Sequence, residues 1–246
     1  MRLLMLCEGK TDAILVSYLL CKLSGWIPIK SNKKEKVKVL TEEKKNESAY
    51  WYERGEDRLL ICGVGGKDKF SDFFADKLSD VILNYPPQDS FDKLVVIHDK
   101  DTDTINDIEN KIKASLAPIA AFVQNNQWVS NDFTDAFGKE IKIDILGLII
   151  PFENEGALES VMLDSLKEKS PEREIVESSE RFVDEVKNIA KEFINKPRME
   201  LKAKLGVTFA VLSPMKVFTY IDELIKTVNW EEYDSIREVF SKILEL

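Results

Sequence analysis

Four short aliphatic runs constrain this chain most: Leu3–Cys7, Leu59–Cys62, Leu94–Ile97 and Ile145–Ile150. Each is unbroken and bounded by turn-forming or polar residues, the pattern of a strand buried on both faces. Helical spacing of apolar residues follows the first run (Ile14, Leu15, Tyr18, Leu19) and the second (Phe70, Phe73, Phe74, Leu78). A third helix is expected from about Thr104 to Leu116. Strands alternating with helices build a parallel sheet through right-handed crossovers. The expected fold is α/β, a doubly wound, mostly parallel sheet.

Two segments depart from that rhythm. Residues 30 to 48 hold seven lysines against four glutamates. This lysine-rich insertion reads as a solvated loop or an inserted hairpin pairing Val37–Leu40 with Ala49–Tyr52, or else as a nucleic-acid arm with Tyr50, Trp51 and Tyr52 for base stacking. Trp128–Thr134 and Glu140–Ile145 read as a second hairpin turning at Phe137-Gly138, at the sheet edge. Pro86-Pro87 is read as ending a helix from Asp68 to Leu83. Beyond Ser170 no strand is expected. Pro171, Pro197 and Pro214 would each open a helix, the first running to about Ile194, and residues 230 to 245 would form a last amphipathic one. The expected division is an α/β domain over residues 1–168 and a helical C-terminal extension over 169–246, packed on it.

The formal charge of −9 argues against a globally basic nucleic-acid binder, so such contacts need a local patch or a bound metal. Cys7, Cys21 and Cys62 form no metal or disulfide framework, which suits buried thiols in a reducing compartment. The apolar run at Leu3–Cys7 is broken by Glu8, too short for a signal peptide, and no stretch has the length of a membrane span. The expectation is a soluble, cytoplasmic protein.

Chemistry concentrates at strand ends. Asp99, Asp101 and Asp103 follow the third run at spacing two, so in extended chain Asp99 and Asp101 converge. Carboxylates this close repel unless a cation lies between them, and a hard divalent ion suits them. Helix capping is the competing explanation; it accounts for Asp103 better than for Asp99. Glu8 follows the first run, and turns after neighbouring parallel strands lie side by side. Glu8, Asp99 and Asp101 are therefore expected to meet, with Gly9 allowing a tight turn and Lys10 supplying positive charge near an anion. Gly65, Gly66 and Lys67 could cradle a phosphate, or form a sharp turn only. His98 is the lone histidine, read as a packed residue, and without a His/Cys cluster zinc is not expected. Glu153, Glu155 and Glu159 follow the fourth run and could add carboxylates, or serve the helix dipole.

Glu8-Gly9-Lys10-Thr11-Asp12, then Gly65-Gly66-Lys67, then Asp99-x-Asp101-x-Asp103 resemble, in that order, the Toprim domain. That catalytic module is shared by topoisomerases, DnaG-type primases, small maturation nucleases and OLD-family nucleases. Ile149-Ile150-Pro151 with Gly156-x-Leu158-Glu159 is further similar to small, stand-alone, OLD-like Toprim proteins of unassigned function with a helical tail. The resemblance implies a Toprim/Rossmann-like fold and metal-dependent phosphodiester chemistry on nucleic acid, foremost as a nuclease with Mg²⁺ or Mn²⁺. It makes Glu8 a general acid or base or a metal ligand, Asp99 and Asp101 metal ligands, and adds Asp103 and Glu159 to the metal set. It also implies a lysine brought by the helical segment, here Lys202. DNA stands ahead of RNA as substrate, and a separately encoded ATPase is an implied partner. The competing reading is a Toprim-like module that binds nucleic acid or a partner without turnover. The chain lacks the tyrosine-bearing topoisomerase domain, the zinc-binding primase segment and an ATPase domain.

Overall fold

The computed structural model describes residues 1–29, 47–84, 91–117, 119–120 and 122–246. Most of the lysine-rich segment, including Val37–Leu40, and the Pro86-Pro87 stop lie outside these residues. Compactness divides the chain into a sheet unit (1–99, 103–149 and Leu246) and a helical unit (100–102 and 150–245).

The sheet unit begins with β1 (Arg2–Cys7) and α1 (Lys10–Leu23), then β2 (Ile27–Pro28), β3 (Ser48–Arg54) and β4 (Asp57–Gly63). A 3₁₀ turn at Lys67–Lys69 leads into α2 (Phe70–Lys77) and α3 (Ser79–Asn84), followed by β5 (Lys93–Asp99) and α4 (Ile105–Ser115). It closes with β6 (Trp128–Thr134) and β7 (Glu140–Ile150). The strands form one seven-stranded sheet in the order β2-β3-β4-β1-β5-β7-β6. Its centre is parallel, with Leu4 opposite both Leu60 of β4 and Leu94 of β5. Its edges β2-β3-β4 and β6-β7 are antiparallel.

Side-chain alternation sorts the core. Leu4, Leu6, Leu60, Cys62, Leu94 and Val96 share one face with Phe70, Phe73 and Phe74 of α2 and Ile108 and Ile112 of α4. Leu3, Met5, Leu59, Ile61 and Val95 point the other way and are fully buried. On that side α1 packs on β1 and β4. Helices thus cover both faces of the parallel centre, which is why its strands read as continuous aliphatic runs.

Several sequence expectations change. Ala49–Tyr52 pairs with β4 through the turn at Gly55-Glu56, and with β2 at Tyr52 and Glu53. The helix expected over Asp68–Leu83 is broken at Leu78. Glu140–Ile145 and Ile145–Ile150 are one continuous strand, β7, which β6 pairs from Glu140 to Leu146.

The helical unit holds α5 (Leu158–Leu166), α6 (Glu172–Val186), α7 (Pro197–Leu212), α8 (Ile221–Ile225), α9 (Asp234–Val239) and α10 (Ser241–Leu244). Helix α5 packs on α6, α7 and α9, so this unit starts at Ile150 rather than after residue 168. Helix α6 stops at Val186, short of Ile194, and residues 230 to 245 break into a 3₁₀ turn, α9 and α10. Trp230 explains much of that break. It is fully buried, edge-on to Phe209, and its indole N–H donates to Ile225 O at 2.9 Å. Among the described residues no helix is long and apolar enough to cross a membrane.

Candidate functional site

In the sheet unit the turns after β1, β4 and β5 converge. Cys7 lies opposite Gly63 of β4 and Ile97 of β5, so Glu8 emerges between two neighbouring strand ends. Its backbone is held from both sides. The Glu8 N–H donates to Ile97 O at 3.2 Å, and Glu8 O accepts from the Gly66 N–H at 2.8 Å. The approach is close enough that a Cβ on Gly63 would come within 3.0 Å of Gly9 O. Gly65 and Gly66 turn with φ of 91° and 133°, a region side chains avoid.

The Glu8 side chain faces β5. The Asp99 N–H donates to Glu8 Oε2 over 3.4 Å, and His98 Nδ1 lies 3.8 Å from the same oxygen. Glu8 is 3% exposed and Asp99 1%. His98 is also buried, stacks on Phe70 with centroids 5.5 Å apart, and its Nδ1 donates to Asp99 O at 2.6 Å. With Nδ1 carrying that proton, Nε2 is the ring's other polar atom.

The remaining expected residues of this unit take other duties. The Gly9 N–H donates to Asp12 Oδ2 at 2.9 Å, capping α1, and the Gly66 N–H goes to Glu8. Neither amide is therefore turned toward a phosphate. Lys10 is exposed on the first turn of α1. Asp103 bonds Lys111 Nζ at 2.8 Å, and that ammonium, with lesser contributions from Lys67 and His98, holds its carboxyl below the usual range. Thr104 is the cap of α4, accepting from the Asp107 N–H at 3.2 Å.

The helical unit gathers a second set. Asp101 has φ of 50°, costly for a residue with a side chain, and is pinned there by a two-way bridge with Gly156. The Asp101 N–H donates to Gly156 O at 2.6 Å and Gly156 N–H to Asp101 O at 3.0 Å. Its carboxylate lies 3.6 Å from Arg198. One turn along α7, Lys202 Nζ lies 3.9 Å from Glu159 Oε1. Glu159 is 6% exposed, and its Oε2 is buried without a hydrogen-bond partner among the described residues. Glu153 and Glu155 are exposed.

Arg198 is the residue sequence reasoning missed here. An arginine at the second position of a helix stands where the dipole favours acids, and that anomaly was its signal. His98 stacking on Phe70 and the Lys111–Asp103 pair were likewise unread.

Among the described residues no group of three or more His, Cys, Asp or Glu side chains stands ready to hold a metal. Mg²⁺, however, is commonly held by one or two carboxylates plus waters and substrate phosphate. Glu8 and Asp99, two buried acids joined through a backbone amide, fit that smaller requirement.

No curated protein matches the chain. A crystal structure of a hypothetical protein from Pyrococcus horikoshii OT3 is similar over 99% of this chain and 100% of that one, at 17% identity and a TM-score of 0.47. Residues 2–221 match the family described as "Protein of unknown function (DUF3226)". With most of its length covered by that match, the chain belongs to the DUF3226 family.

Proposed function

We propose that this protein performs metal-dependent phosphodiester chemistry on nucleic acid, as a Toprim-like nuclease. The observation that carries the reading is the meeting of Glu8 and Asp99 at the carboxyl ends of adjacent parallel strands, where α/β sheets bind ligands. Burying two carboxylates there is costly unless a cation joins them.

In this reading Asp99 and Glu8 hold Mg²⁺ or Mn²⁺. Such an ion, when bound, polarises a phosphate oxygen and makes its water a better nucleophile. Glu8 also takes the proton of the attacking water. Its backbone, clamped between β5 and the Gly66 turn, keeps the carboxylate in place for that step. His98 orients this side of the site through its bond to Asp99 O. The helical unit, taken by itself, pairs Asp101 with Arg198 and Glu159 with Lys202, candidate ligands and candidate phosphate-binding cations of its own. DNA is the proposed substrate ahead of RNA, and a separately encoded ATPase is a proposed partner.

One observation favours a second reading, a binding module without turnover: the described residues offer no ready three-ligand centre. Cleavage of single-stranded and plasmid DNA with Mg²⁺ or Mn²⁺, by wild type against Glu8→Gln, separates the two. Cleavage lost in the variant supports the nuclease. Binding without cleavage by wild type supports the module.

A further inference from the structure

Between α2 and α4 the sheet unit opens a cleft of about 390 Å³, within the range of roughly 300–1,000 Å³ common for small-ligand sites. Its inner wall is the stacked pair Phe70 and His98, and Ile112 and Ala114 of α4 extend the apolar lining. Lys67, just before α2, and Lys111 of α4 also line it, as do Ser71 and Ser115.

Three features of this cleft point to one ligand chemistry. First, one of its cations already holds an internal anion: Lys111 Nζ donates to the Asp103 carboxylate at 2.8 Å. A phosphate offers the same charge with more acceptor oxygens and can take that place. Second, the edges of the stacked Phe70 and His98 rings, with Ile112, give the cleft an apolar strip that a base can lie against. Third, His98 belongs to both places. Its Nδ1 side is turned to Asp99 O and Glu8, while its ring lines the cleft. A ligand in the cleft is therefore separated from the two acids by a single imidazole.

We infer that this cleft receives one unstacked nucleotide of a single-stranded nucleic acid, its phosphate between Lys67 and Lys111 and its base against Phe70 and Ile112. The inference deepens the nuclease reading and rests on it for the role of the bound nucleotide. A base still stacked in a duplex cannot enter a cleft of this kind without paying for extrusion, so free strands, frayed ends and flaps are the substrates it selects.

His98 is the only histidine, so its imidazole C–H signals in an NMR spectrum report on this cleft alone. Thymidine 5′-monophosphate, oligothymidylate, thymidine, inorganic phosphate and a blunt hairpin duplex are titrated separately into the full chain, in EDTA at constant pH. The nucleotide and the oligothymidylate should shift His98 saturably. Thymidine and phosphate should bind at least about tenfold more weakly, as should the nucleotide to Lys67→Ala or Lys111→Ala, the scale of one charged hydrogen bond. Ser115→Trp, which fills the cleft without changing charge, should abolish the shift while leaving the rest of the spectrum folded. No shift with the nucleotide overturns the inference. So does an equal response to inorganic phosphate, which would leave an anion site only, or duplex binding as tight as that of the single strand. The arms also separate this inference from the nuclease reading. A saturable shift in a protein that cleaves nothing leaves the cleft standing and removes the nuclease. Cleavage of single strands without any response at His98 does the reverse.

Discussion

The Asp99 amide donates to the Glu8 carboxylate, joining two residues 91 positions apart. The contact follows from strand order: β1 and β5 are neighbours, and each places its acid at its carboxyl end. Two acids, 3% and 1% exposed, thus share one strand-end position, and like charges brought this close favour a cation between them.

Mg²⁺ or Mn²⁺ should therefore stabilise the folded protein. A ligand at a hundredfold excess over its Kd contributes about 2.7 kcal/mol. The Tm of wild type should rise with added ion, and that rise should disappear in Glu8→Gln and Asp99→Asn. A wild-type Tm indifferent to both ions at millimolar concentration would count against the site.

One chemical change at two glycines should have opposite signs. Gly156 has φ of 147°, and a Cβ there would lie 2.2 Å from Ser160 Oγ, which itself accepts the Ala157 N–H at the start of α5. Gly156→Ala should cost about 2–4 kcal/mol, from backbone strain plus a disturbed cap. Gly206 lies inside α7 with nothing within 4 Å of its added Cβ. Gly206→Ala should stabilise by about 0.5–1 kcal/mol. Urea unfolding of both variants checks the pair.

Glu168 caps α9, accepting from the Asp234 and Ser235 N–H groups at 2.8 and 2.9 Å. Its partial burial works against the charged form. The hydrogen bonds from Ser235 and Asp234 outweigh that and hold its carboxyl below the ordinary range. A depressed carboxyl contributes stability above the unfolded-state value, and that contribution fades as pH falls through the folded one. Glu168→Gln should cost about 0.5–1 kcal/mol at neutral pH, a figure already reduced for solvent screening. The difference from wild type should close in acid, below the 4.5 of an ordinary glutamate. A gap that persists unchanged to low pH would point to lost packing instead of lost charge.

What the sequence made legible was local and repetitive. Leu94–Ile97 and Leu3–Cys7 announce buried strands because both faces are aliphatic, and Glu8 and Asp99 stand out because acids terminate such runs. The β6–β7 hairpin was legible from the turn at Phe137-Gly138. Pairing was harder. The partner of Ala49–Tyr52 depended on the short turn at Gly55-Glu56, which local propensity ranks little differently from a loop. The tail misled because periodicity says which residues are apolar, not that Trp230, Tyr233 and Phe240 must all turn inward across short broken helices. The Asp101–Arg198 and Lys111–Asp103 pairs are products of tertiary structure, and no spacing rule encodes them.

The most direct test of the central claim is metal-dependent nicking of supercoiled plasmid by wild type and by Asp99→Asn, compared at matched fold stability. The account predicts nicking by wild type with Mn²⁺ or Mg²⁺, none with EDTA, and a loss of at least about a hundredfold in the variant, the scale of removing one group that acts on the transition state. Equal nicking by both proteins, or none by wild type on plasmid or single-stranded DNA, would contradict it.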